Sequence, residues 1–140
     1  MSQENVKIVE AAINAVNRED WDAVVQAAAP GFELDMSRSQ SFRGAAVYGR
    51  DQLRGFLVEF AESWESVRVE SHEFIEVGDL VVVPQTTHAR GRDGIEVVSR
   101  PTLVWTIRDG AIERVAMYQE RQDALEAVGL SEQDAQRPTG

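Results

Sequence analysis

Apolar residues recur every three or four positions in the first half of this chain and every second position in the rest. That change of period separates helices from strands. Val6, Val9, Ile13 and Val16 form the first helical stripe, over residues 4–17. Asn17-Arg18-Glu19-Asp20 interrupts it, and Asp20 is suited to cap a second, shorter helix carrying Trp21, Val24, Val25 and Ala28. Pro30-Gly31 is expected to end that helix. Phe32, Leu34 and Met36 then share one side of a short strand, and residues 37–49, with Phe42, Val47 and Tyr48, read as a polar loop. A third helix over 51–64 places Leu53, Phe56, Leu57, Phe60 and Trp64 together, the most aromatic stripe in the chain.

Strand patterns fill most of the remainder. One spans 66–77, a Gly78-Asp79 turn follows, and a second spans 80–90. Gly91-Arg92-Asp93-Gly94 leads into a long arm from Ile95 to Arg108, a tight Asp109-Gly110 turn and a return arm reaching Glu120. Asp-Gly between apolar runs marks a hairpin, because a type I′ turn needs positive φ at both central residues. Ala124, Leu125 and Val128 make a short last helix that Gly129 stops. Residues 1–130 read as a single domain and 131–140 as a polar tail expected to be disordered. Helices followed by long strands predict an α+β fold. The expected form is a conical barrel, in which a curved, mostly antiparallel sheet wraps three N-terminal helices and a short C-terminal helix follows.

Strict alternation assigns the faces. Val81, Val83, Gln85, Thr87 and Ala89 are expected inside, and Val82, Pro84, Thr86, His88 and Arg90 outside. Leu103, Trp105, Val115, Met117 and Gln119 are likewise expected inside, with Arg100, Arg108 and Arg114 outside.

Composition removes several functions. A formal charge of −10 over 140 residues disfavours nucleic acid and anionic membranes as partners. Cysteine is absent, which excludes disulfides and thiolate metal sites. His72 and His88, the two histidines, share no ligand spacing, so no metal is expected. Nucleotide-binding glycine motifs and a G-x-S-x-G elbow are missing, and no cofactor is expected. The first residues lack a signal-peptide pattern and no run suits a membrane span, so a cytoplasmic location is expected.

The opening helix with Asn17-Arg18-Glu19-Asp20-Trp21-Asp22-Ala23, then Pro30-Gly31-Phe32-Glu33-Leu34, and finally Val104-Trp105-Thr106-Ile107-Arg108-Asp109-Gly110 with Tyr118 and the segment from Glu120 to Leu130, carry a resemblance. They are similar to the nuclear transport factor 2-like superfamily, and within it to the SnoaL-like group related to polyketide cyclases. The resemblance implies a cone with an apolar pocket and a homodimer formed through the outer sheet face. It covers binding proteins and several enzymes, so it implies no single reaction. Its enzymes resemble one another in holding acids and bases on interior strand positions. The places that match here carry Gln85, Thr87 and Met117, which do not titrate near neutral pH.

Three readings of function follow, the last being a purely structural or partner-binding dimer whose own side chains fill the pocket. In the first, the cone binds a small apolar molecule, with Gln85, Thr87 and Gln119 orienting it and Phe60, Trp64, Leu103, Trp105 and Met117 forming the wall. Tyr48, on the loop, offers a hydroxyl at the mouth. In the second, the chain is a cyclase, isomerase or hydratase on a polycyclic or terpenoid-like substrate, with Asp35 or Glu120 transferring the proton. The plainer account of Asp35 and Glu33 is the solvated half of an edge strand, and that of Glu120 is a cap on the last helix.

Overall fold

The computed structural model describes residues 2–38 and 47–131. Phe42 of the expected loop and the tail beyond Ser131 lie outside the described residues.

Helix α1 (Ser2–Asn17) buries Val9, Ala12, Ile13 and Ala15. It closes through Glu19 in the left-handed region (φ 60°), with the Asp20 amide donating back to the Ala15 carbonyl at 2.8 Å. Asp20 then caps α2 (Trp21–Ala27), accepting from the Ala23 amide at 3.3 Å. Strand β1 (Ala28–Asp35) begins at once, so Pro30-Gly31 lies within a strand and does not terminate the helix. Pairing of β1 slips between Ala28 and Glu33. Pro30 sits in that slipped stretch, where the missing N–H breaks no regular ladder.

Strand β2 (Val47–Gly49) takes up the end of the expected loop; three residues are too few for alternation to reveal. It pairs with β1, setting Tyr48 opposite Leu34. Helix α3 (Arg50–Glu62) starts where the Gly49 amide donates to Gln52 Oε1 at 3.0 Å. Strands β3 (Ser66–Ser71), β4 (Ile75–Val77), β5 (Leu80–Arg90), β6 (Glu96–Ser99), β7 (Thr102–Arg108) and β8 (Ala111–Tyr118) follow, then α4 (Arg121–Ala127).

Eight strands form one curled sheet in the order β2-β1-β8-β7-β5-β3, with β4 and β6 also paired to β5. Only β1 and β8 run parallel among these neighbours, which makes the sheet mixed. The eleven-residue β5 is its spine. The Leu80 end lies between β4 and β7, and the Arg90 end between β3 and β6.

Both long flanking strands therefore break where β5 changes neighbours. The arm expected from Ile95 to Arg108 divides at Arg100-Pro101, because Pro101 has no amide to donate; its carbonyl instead accepts from the Gln85 amide at 3.1 Å. The strand expected over 66–77 divides at His72-Glu73-Phe74. Ser71 faces Gln85 and Ile75 faces Val82, so three residues there oppose two on β5. One residue is in excess, and the break is a β-bulge.

The concave face packs Val81, Val83, Leu103, Trp105, Ile107 and Val115 against α1, α2 and α3. On the convex face Val82 and Val104 meet Ala124 and Leu125 of α4. Asn17, the last residue of α1, clasps Val69 of β3 at both backbone groups. Its Nδ2 donates to the Val69 carbonyl at 2.9 Å, and its Oδ1 accepts from the Val69 amide at 2.8 Å.

Candidate functional site on the concave face

Strand registry brings five of the expected residues to one face. Val81, Trp105 and Val115 form one row across β5, β7 and β8, and Val83, Leu103 and Met117 form the next. Gln85 and Thr87 continue the concave side of β5. The alternation behind this was readable in the sequence because β5 runs without a bulge.

Two polar side chains in this lining stand out. Gln85 is 5% exposed and Trp105 7%. Gln85 Nε2 donates to Thr87 Oγ1 at 3.3 Å, while Gln85 Oε1 is buried with no hydrogen-bond partner. Exchanging the amide O and N would leave the nitrogen unpartnered in its place, so one arm is unmet in either orientation. Trp105 Nε1 is also buried without an acceptor. An unmet buried donor or acceptor costs about 1–3 kcal/mol. They leave one unmet acceptor and one unmet donor on an otherwise largely apolar face.

The remaining candidates lie elsewhere. Tyr48 is on β2, not on a loop, and its ring lies 4.7 Å from Phe56, which stacks 6.5 Å from Phe60. Trp64 lines a surface concavity of about 460 Å³ with Ser63, Gly91, Arg92, Asp93, Ile95 and Val97. A second concavity, about 540 Å³, lies between β1, β2 and the start of α3 around Phe32, Glu33 and Arg50. Neither is lined by Gln85, Leu103, Trp105 or Met117. Gln119 is half-buried just beyond β8.

Asp35 alternates with Leu34 and Met36 of the concave core, so it lies on the convex side. It is not on a solvated edge: β1 is flanked by β2 and β8, and Asp35 is 9% exposed. Its carboxylate pairs with Arg114 of β8 and accepts from the Ser37 amide and hydroxyl. Burial pushes its pKa up, but the Ser37 hydrogen bonds and the Arg114 charge outweigh this, so the pKa lies below the ordinary value. A carboxylate so engaged is a weak proton acceptor. Glu120 is exposed at the N-cap position of α4 and makes no side-chain cap bond.

The histidines face outward with Thr86 and Glu70. His72 Nε2 lies 2.6 Å from Thr86 Oγ1, and His88 Nε2 lies 3.3 Å from Glu70 Oε1. The His88 contact, with Arg68 nearby, lowers the Glu70 pKa. Among the described residues no group of three or more His, Cys, Asp or Glu could hold a metal.

One acidic residue escaped the sequence reading. The bulge at His72-Glu73-Phe74 reverses the phase of the strand. Val69 is concave before it, whereas Ile75 is convex and packs with Val82 after it. Phe74 and Glu76 therefore turn to the concave side, Glu76 directly opposite Val81. The available signal was the polar run Ser71-His72-Glu73, an awkward centre for a continuous strand.

A curled mixed sheet closing on three helices defines the nuclear transport factor 2-like class of α+β folds. The SnoaL-like domain matches residues 9–115, and the chain belongs to that family. No curated protein matches it in sequence. Among solved structures it resembles TerC co-crystallised with polyporic acid (22% identity, TM-score 0.71, covering 89% of this chain and 97% of that one). It also resembles a Mycobacterium tuberculosis protein in complex with estradiol-17β-hemisuccinate (12% identity, TM-score 0.73, 84% and 95%). A putative polyketide cyclase from Xanthomonas campestris pv. campestris is similar too (23% identity, TM-score 0.68, 91% and 98%). At these identities the likeness establishes the fold.

Proposed function

We propose that this SnoaL-like protein binds a small, largely apolar molecule against the concave face. Gln85, Thr87 and Trp105 orient the ligand, and Leu103 and Met117 supply apolar contact. The observation that carries this reading is the pair of unmet buried polar atoms, Gln85 Oε1 and Trp105 Nε1. Their backbones stand four residues apart along the sheet, roughly 13 Å at the rise of a strand. A ligand engaging both is two or three rings long and carries a donor at one end and an acceptor at the other. Relatives of the same fold crystallised with polyporic acid and with estradiol-17β-hemisuccinate lend support.

Homodimerisation through the convex face and a cytoplasmic location belong to the same proposal. Val98, an apolar residue 44% exposed on the convex side of β6, suits such contact. No described helix is long and apolar enough to cross a membrane. An enzymatic reading through Asp35 or Glu120 draws no support from geometry, because Asp35 is turned to the convex side and Glu120 to solvent.

Titration of intrinsic tryptophan fluorescence with a panel of apolar bicyclic and tricyclic alcohols and ketones tests the binding reading. The expected result is saturable quenching that disappears in Trp105→Phe and weakens about tenfold in Gln85→Leu, the worth of one buried hydrogen bond. An unchanged signal across the panel would reject the reading.

A further inference from the structure

Glu76 is the ionisable group that the bulge turns onto the concave face. Its Oε2 is buried with no hydrogen-bond partner. No Lys, Arg or His among the described residues forms an ion pair with it. Its registry neighbour is Val81, Trp105 lies one strand further in the same row, and Phe74 precedes it on the same face. The side chain as a whole is half-buried, and its inner oxygen is left to accept from a donor carried by a ligand on the same face.

From this placement we infer that the interior site selects an apolar molecule bearing a cationic nitrogen, seated with its ammonium group on Glu76. The inference rests on the interior binding site proposed above and adds the chemical class of its ligand. An ammonium group meets both needs of the carboxylate at once, since it donates hydrogen bonds and cancels the charge. A hydroxyl or amide meets only the first. Aromatic faces such as those of Phe74 and Trp105 are compatible with a cation beside them. The field of a chain with formal charge −10 enriches cations near the protein and repels anionic ligands.

Calorimetric titration with two isosteres separates the alternatives: 1-adamantanemethylamine, charged at neutral pH, and 1-adamantanemethanol, neutral. The wild-type protein is expected to bind the amine about tenfold more tightly than the alcohol, as for one charge-assisted hydrogen bond. In Glu76→Gln the ratio is expected to fall to about one. Equal affinities in the wild type would overturn the inference and leave the site itself standing. A preference that survives in folded Glu76→Gln would also overturn it, by assigning the selectivity to the overall field. Binding of neither compound by the wild type would remove both the site and the ligand class. Where the variant fails to fold, the wild-type ratio at high ionic strength decides: a ratio that vanishes once the overall field is screened would overturn the inference.

Discussion

Asp35 shows how much a single buried ion pair contributes to this sheet. Arg114 reaches it across the β1–β8 junction, between residues 79 positions apart in the chain. Replacing Arg114 with Met leaves the carboxylate buried without its cation. The expected loss in urea denaturation is about 1–3 kcal/mol at neutral pH, below the full cost of an orphaned charge because Arg114 is 41% exposed. The sign of its pH dependence follows from the lowered pKa of Asp35. Stabilisation is complete above the ordinary Asp range and vanishes as pH falls through the lower folded value. The gap between wild type and Arg114→Met should therefore narrow in acid. Alternation set Asp35 on the side away from Leu34 and Met36 but did not foresee its burial. It could not reveal the partner, because parallel pairing between chain ends leaves no local pattern. Gln85, Thr87, Leu103, Trp105 and Met117 were placed by alternation alone, since their strands run in phase. What the sequence hid about them is the absence of partners for Gln85 Oε1 and Trp105 Nε1, which depends on how the helices pack against the sheet.

At the scale of elements, the hairpin joining β7 to β8 was the most legible unit. Asp109 (φ 54°) and Gly110 (φ 77°) both take the left-handed conformation that the Asp-Gly pair predicted. A Cβ at Gly110 would meet no atom within 4 Å, so Gly110→Ala should cost only the conformational strain, about 1 kcal/mol by thermal denaturation. A much larger loss would mean that the turn also bears packing. The bulge between β3 and β4 was the least legible unit. One surplus residue changes no composition and no local propensity, yet it exchanges the faces of every residue after it. An unbroken strand would have turned Ile75 and Val77 inward and Glu76 outward. A proline likewise divided the arm between β6 and β7, and there the signal was present in Pro101 itself.

Across the whole molecule, the α+β class and a mostly antiparallel sheet were readable in the sequence, and the parallel pairing of β1 with β8 was not. Joining β1 to β8 in parallel depends on the helices bringing the start of the chain alongside its end, which no short window contains. The same closure leaves β3 at one margin of the sheet, paired on one side only. There the Asn17 amide satisfies the N–H and C=O of Val69, as a neighbouring strand would. A side chain thus occupies the position at which a foreign strand would begin to add. Asn17→Ala should uncover that margin and convert a protected border into a template for β-augmentation. The expected outcome is concentration-dependent growth in light scattering, together with faster hydrogen exchange at Val69. A scattering profile identical to that of the wild type would show that the rest of the margin guards itself.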